Sequence, residues 1–347
     1  RDLHRLIRRQ RQMCIRDRKN TALESRRGTE KVLLSGVLVI DKEAGISSFG
    51  VVLKVRKLLK VKKAGHTGTL DPFATGVLVV CLEQATKIIP YLEEGTKEYV
   101  FTIHFGIETD TWDSTGQITK KIEPPKVEVN NIESVVSELI GTVELPVPRF
   151  SAVKVSGKRL YKLARKGIEF ETPKKESNIS KIEMLDFAWP EVTLAIECSK
   201  GTYVRSVAKA IGDLLGIPAH VKKLRRLRSG RFSLKNAITI DELASSIKNN
   251  TVWQQIMSMS SALDHLPIIR IDKETAEFIR KGGVQAIDLR FGKSSTTLYK
   301  HVRVVSGNDD LVAIAEVKRG NSLAITRVFP QTNALIGLVQ AAKTTQK

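Results

Sequence analysis

A carboxylate on a loop that can neither coil nor pleat is a candidate for chemistry on a bound ligand. Asp71 stands in such a loop, within GHTGTLDPFATGVL at residues 65–78. Three glycines and a proline in that stretch rule out regular helix or strand. Pro72 pushes the Asp71 backbone toward extended geometry. Small neighbours leave the carboxylate open to close approach. An Asx turn, with Asp71 bonded to nearby backbone, would explain an isolated Asp-Pro pair equally well.

Other chemistry-bearing residues fall in short strings elsewhere. Tyr99 lies in KEY at 97–99, and Asp110 in GIETDTWD at 106–113. Tyr203 and Arg205 lie in CSKGTYVR at 198–205, and Leu224 in LRRL at 224–227. PRFSAVKVSGKRLYKLARKG occupies 148–167, and AHV occupies 219–221. Taken singly, each aromatic reads as core packing, and Arg205 as a surface ion pair.

Together, in this order, the strings resemble the tRNA pseudouridine synthase B family over about residues 34–331. The family's pattern at the Asp loop is GHTG-x-LDP-x-A-x-G-x-L. One loop departs from it: Lys42 and Ser48 are kept, but Glu43 and Ser47 stand where the family has Pro and Thr. The resemblance implies that Asp71 is the catalytic carboxylate and His66 a substrate-contacting neighbour. It implies that Tyr99 stacks on the target base, that Tyr203 and Leu224 wall the pocket, and that Lys42 belongs to the substrate site. Arg205 is expected to hold Asp71 ionised, keeping its pKa low, with Asp110 as a second partner of the guanidinium. No cofactor or metal is expected. The reaction would convert a uridine in the T-arm loop of tRNA, position 55 in standard numbering, to pseudouridine. The N1–C1′ bond breaks and uracil rejoins through C5, with Asp71 either attacking C1′ or removing the C2′ proton. The target must be extruded at a cost of a few kcal/mol, and stacking on an aromatic returns roughly 1–3 kcal/mol.

The elements that must position these residues can be read from periodicity. Residues 36–40, 77–82, 99–105 and 192–197 read as strands. A helix capped by Ser47 or Ser48 carries Val51, Val52, Val55, Leu58 and Leu59 on one face. Further helices are expected within 126–140, closed by Gly141, and from Val204 to Leu215, ended by Gly216. The fold class is α+β: a mixed, largely antiparallel sheet with a central cleft in a catalytic domain over 32–250. A composition change at 245–262 marks the domain boundary. Strand-like runs in 264–331 point to a small PUA-like RNA-binding β-barrel, followed by a tail at 332–347. No internal repeat is evident.

Charge agrees with a polyanionic partner. The 347 residues carry 57 Lys+Arg against 37 Asp+Glu, a net of +20. Residues 1–31, read as a basic extension outside the fold, hold eleven Lys/Arg and four Asp/Glu, which leaves +13 for the rest. Two cationic clusters are expected to face RNA. One is Lys154, Lys158, Arg159, Lys162, Arg165 and Lys166. The other is Lys222, Lys223, Arg225, Arg226, Arg228 and Arg231, where Leu224 and Leu227 interrupt at helical spacing. Cys14, Cys81 and Cys198 show no metal-ligand spacing. No apolar run reaches the roughly 18 residues that a membrane span requires, and no signal-peptide pattern is seen. The expectation is a cytoplasmic monomer that acts on tRNA without a protein partner. A folding chaperone and a guide-RNA-dependent synthase are the rival readings. Asp71→Asn tests the first, and activity on bare tRNA tests the second.

Overall fold

The computed structural model describes residues 34–331 apart from 94, 156, 284–299, 308 and 319–321. The expected extensions at 1–31 and 332–347 lie outside the described residues. The architecture is α+β, built on one mixed sheet. Its main strands are β1 (Gly36–Lys42), β2 (Ala64–His66), β3 (Thr75–Leu82), β4 (Lys97–Phe105), β5 (Gly141–Pro146), β6 (Lys174–Ala188), β7 (Glu191–Cys198) and β8 (Ala219–Ser229). They run in the order β1-β3-β8-β4-β7-β6-β5, with β2 also on β3. The pairings along this path are antiparallel except that between β8 and β3.

The strand patterns explain the burial. β3 is apolar and buried from Gly76 to Leu82, as expected for a central strand covered on both faces. β7 alternates buried and half-buried residues along its length. One face of the sheet is covered by α1 (Ser48–Leu58), whose N-cap Ser47 accepts from Gly50 N at 3.0 Å. Val51, Val52 and Val55 of α1 join Leu38, Ile40, Leu78 and Val80 in one core. The same face, further along the sheet, carries α2 (Val129–Glu138) and α3 (Val204–Leu215), packed on Phe101, Ile103 and Leu194. Gly216 closes α3 at φ 67, the left-handed conformation that glycine adopts without strain.

One expectation needs correction. Residues 219–229 form strand β8, not a helix. The spacing of its leucines comes from register shifts between Val221 and Lys223 and between Arg226 and Arg228, where bulges break the two-residue alternation. The 245–262 segment packs back on β1. Val37 and Met257 exchange backbone hydrogen bonds at 2.8 Å in both directions. Met259, Ala262 and Leu263 share a core with Val37, Val79 and Phe329. The C-terminal part contains a four-stranded sheet, β9 (Ile268–Ile271), β10 (His301–Ser306), β11 (Asp310–Val317) and β12 (Leu323–Val328), in that order. Among the described residues it does not close into a barrel.

Candidate active site

The site forms where the edge of β3 divides between two partners. Thr75 and Gly76 pair with Arg225 and Arg226 of β8, whereas Val80, Cys81 and Leu82 pair with β2. Between them Val77 O accepts from Arg226 Nε at 2.7 Å, and Val79 O accepts from Thr67 N at 3.1 Å. The Asp71 loop fills this opening. Gly76 must be glycine: its φ is 101, and a Cβ would lie 2.8 Å from Arg226 N and closer still to Arg226 O.

Three buried groups fix the loop. Lys42, 1% exposed, donates to Glu43 O at 2.9 Å, Pro72 O at 3.1 Å and Ala74 O at 2.6 Å. Arg226, also 1% exposed, donates to Gly68 O at 3.0 Å as well as to Val77 O. Ser48 Oγ both accepts from Leu70 N at 2.8 Å and donates to Leu70 O at 2.9 Å. Such pairing removes the penalty of burying loop backbone. Asp71 itself caps a turn, its carbonyl accepting from Ala74 N at 3.1 Å. The Asx-turn alternative fails, because the side chain points elsewhere.

The Asp71 carboxylate meets Arg205, which leaves the first turn of α3. Arg205 Nε lies 2.9 Å from Oδ2, and Nη2 donates to Oδ1 at 3.1 Å. The Arg205 side chain is 3% exposed, and that of Asp71 is 30% exposed, so a ligand can reach the carboxylate. Arg205 also donates to Thr111 O at 2.9 Å and Phe150 O at 3.3 Å. Its second carboxylate is Asp113 at 3.7 Å, not Asp110. Asp110 instead accepts from Gln117 N at 2.8 Å, within its own turn. Asp113 is itself locked, its Oδ1 accepting from Thr111 Oγ1 at 2.8 Å and from Thr115 N at 2.9 Å.

The electrostatics depart from expectation in one respect. Burial pushes the Asp71 carboxyl above the ordinary carboxylate range, with Arg205 pulling it back and Asp113 adding to the rise. The guanidinium therefore opposes the desolvation without overcoming it. Burial also lowers Lys42 to about 8, against the attraction of Asp71. His66 is held below the ordinary imidazole range by burial and by Arg226, and its buried Nδ1 has no hydrogen-bond partner.

The structure brings several expected residues together. Tyr99 and Leu224 join Leu70 and Ala74 in one buried cluster, and Tyr99 stands opposite Arg226 in the β4–β8 register. Tyr203 is the N-cap of α3, two residues before Arg205. Lys42 braces the loop, its ammonium buried on three carbonyls. Asp113 and Arg226 escaped sequence reading. Threonines at 111 and 115 flanking Asp113 were a legible signal of a local carboxylate network. Arg226 sat unmarked inside a run of cations. Among the described residues, no three His, Cys, Asp or Glu side chains group as a metal site would require.

The sheet and the carboxylate-guanidinium pair define an enzyme with the fold of a pseudouridine synthase. The chain superposes on a chain of the crystal structure of a Cbf5-Nop10-Gar1 complex with TM-score 0.66 and 26% identity, covering 89% of each. Its sequence matches the TruB family pseudouridylate synthase N-terminal domain over residues 56–204. The tRNA pseudouridylate synthase B C-terminal domain follows over 205–266. Among curated relatives, tRNA pseudouridine synthase B of Syntrophobacter fumaroxidans is 44% identical over 253 residues, 73% of this chain and 83% of that protein. That of Bacillus licheniformis is 42% identical over 260 residues, 73% of this chain and 84% of that protein. The chain belongs to the TruB family of pseudouridylate synthases.

Proposed function

We propose that this chain isomerises the uridine at position 55, in the T-arm loop of tRNA, with Asp71 as the catalytic carboxylate. The observation that carries this is the two-point Asp71–Arg205 pair on a loop braced from both sides. It suits a reaction that needs one ionised carboxylate held still against a ribose. The N1–C1′ bond breaks, uracil turns, and a C1′–C5 bond forms. The C5 proton is lost and N1 gains one, so atoms balance without redox chemistry. A partly desolvated carboxylate is a stronger nucleophile and base than a hydrated one, which serves attack at C1′ and removal of the C2′ proton alike.

Tyr99, Tyr203 and Leu224 are the apolar surroundings for the extruded base, and neutral His66 is a substrate contact beside the loop. The division runs from a catalytic domain at 32–250 to an RNA-gripping module at 264–331. The four-stranded sheet of that module is compatible with a PUA-like barrel. No helix among the described residues is long and apolar enough to cross a membrane. A cytoplasmic monomer that needs neither cofactor nor protein partner completes the reading. Incubating the protein with unmodified tRNA transcript, then mapping pseudouridine by position, tests it. Product at position 55 without any other protein is the expected result; product elsewhere, or none, refutes it. The guide-dependent alternative rests on the fold shared with a chain of the Cbf5-Nop10-Gar1 complex. Relatives bearing the tRNA pseudouridine synthase B name reach higher identity, and activity on bare tRNA excludes that alternative.

A further inference from the structure

Residues 83–92 stand between the strand that leads into the catalytic loop and the C-terminal sheet. They run as a 3₁₀ helix, Glu83–Ile88, into a short helical turn, Ile89–Leu92. Ile88 and Leu92 share one core with Val79 and Cys81 of β3 and with Val305 and Ile314 of the C-terminal sheet. Tyr91 meets three C-terminal residues. Its ring lies edge-on to the His301 ring at 5.0 Å, its hydroxyl is 3.4 Å from Thr326 Oγ1, and its carbonyl accepts from His265 Nε2 at 3.1 Å. The other side of the segment faces β2. Glu83 sits at φ 49, a left-handed conformation uncommon outside glycine. From there its N donates to Lys63 O at 2.9 Å, and its carboxylate accepts from the backbone N of Lys62 and of Lys63. Two residues further on, a Cβ at Gly65 would lie 3.1 Å from Ile89 Cδ1. The segment is flush against β2 because residue 65 has no side chain. His66 comes next, and then the Asp71 loop.

We infer that Tyr91 and Ile89 are positioning residues for the reaction. They carry the placement of the C-terminal sheet to Gly65, and so set where His66 and the Asp71 loop stand. The inference rests on the proposed reaction at Asp71, and it gives the C-terminal sheet a share in turnover besides a grip on RNA. β2 pairs with β3 through three residues, Ala64, Gly65 and His66, so a short ladder fixes it. A close-packed interior transmits displacement instead of absorbing it, and the Ile89–Gly65 contact leaves no gap in which a shift could vanish. The buried Nδ1 of His66 has no hydrogen-bond partner. No bond at that atom holds the ring, so its position follows that of residue 65.

Single-turnover rates of the full chain at saturating protein, measured beside RNA affinity and melting temperature, test the link. Gly65→Ala should slow turnover by about 10-fold, less than the roughly 10²-fold that a 1 Å misplacement costs. Ile89→Val removes the Cδ1 that the new methyl meets. Alone it should change the rate little, and combined with Gly65→Ala it should recover most of the loss, as coupled neighbours do. Tyr91→Leu should slow turnover by about 10-fold with RNA affinity close to the parent's, whereas Tyr91→Phe keeps the ring contact and the parent's rate. His301→Leu, in β10, removes that contact from the other side and should match Tyr91→Leu; it decides the matter where Tyr91→Leu does not fold. The His66 imidazole resonance gives a readout free of activity. It should shift in Gly65→Ala and Tyr91→Leu and return in the Gly65→Ala, Ile89→Val double variant. Loss of affinity or stability at an unchanged rate, or no recovery in the double variant, overturns the inference. A parent series that shows these shifts but forms no pseudouridine refutes the proposed reaction and upholds the link to the loop.

Discussion

Arg205 grips both oxygens of Asp71 across 134 residues of chain, at 2.9 Å and 3.1 Å. A flat guanidinium fits a carboxylate at two points, whereas an ammonium meets it at one. Asp71→Asn keeps the shape and removes the charge. Pseudouridine formation by this variant should fall by at least about 10³-fold, as expected when the reacting group itself is removed. RNA affinity should stay within a few-fold of the parent. A gel-shift assay beside a single-turnover assay measures both. A variant that still turns over at the parent's rate would refute the assignment of Asp71.

Arg205→Lys keeps the charge and loses the fork. It also releases Thr111 O and Phe150 O, the two carbonyls that fix neighbouring loops. The turnover rate should fall by roughly 10²-fold, the scale on which small misplacement of a reacting group acts. Arg205→Met should be worse folded, losing about 3–5 kcal/mol, because it leaves Asp113 and Asp71 uncompensated in a buried setting. Urea unfolding of the three proteins ranks them.

The site predicts an activity that is lost on both sides of neutrality. Asp71 has its pKa raised in the folded protein, so its ionised form exists only above that raised value. The acid limb of activity should therefore lie above the ordinary range for aspartate, and Arg205→Lys should move it higher still. Lys42 is lowered to about 8, so the loop loses a charged donor as pH rises through that value. The alkaline limb should fall near there and disappear in Lys42→Met, whose activity is lower but flat. Stability runs the other way for this group. The unfolded chain holds the Lys42 proton up to about 10.5, so between the two values unfolding takes up a proton and stability rises with pH. An alkaline loss of activity caused by unfolding would contradict this.

Gly76→Ala tests the close approach of β8. Its Cβ would overlap Arg226 backbone at a φ of 101, so strain adds to overlap. Destabilisation should exceed about 2 kcal/mol, with loss of activity following loss of the loop. Differential scanning calorimetry gives the first and the turnover assay the second. An alanine variant as stable as the parent would mean that the strands separate easily here.

Much of this site was legible in sequence because its signals are local. The glycines and proline around Asp71 announce a loop, Ser47 announces the cap of α1, and Gly216 announces the end of α3. What escaped depends on partners distant in the chain. Lys42 and Arg226 are cations whose acceptors are backbone carbonyls, which leave no trace in residue identity. Asp110 and Asp113 are three residues apart in one turn, and only the fold decides which meets Arg205. The raised pKa of Asp71 was missed for a related reason, since burial is a property of everything packed around the loop.

The cations of β8 carry the last prediction. Arg225 donates to both oxygens of Asp41, at 3.1 Å and 2.7 Å. Arg228 reaches Glu98 at 2.6 Å and Glu197 at 3.0 Å, while Lys222 pairs with Glu191 and Arg231 with Asp264. This run is therefore largely neutralised from within, contrary to its expected role as an RNA-facing stripe. The cluster at 154–166 differs. Lys154, Lys158, Arg159, Lys162 and Lys166 line a cavity of about 440 Å³ whose lining includes no acidic side chain. Counterion release makes log K fall with log salt in proportion to the phosphates contacted. Replacing Lys154, Lys158 and Lys162 by alanine should reduce that slope by about 0.7–0.9 for each phosphate contact removed. Arg228→Ala should instead lower thermal stability and leave the slope intact, because its charge already belongs to Glu98 and Glu197. The reverse pattern would return the RNA contact to β8.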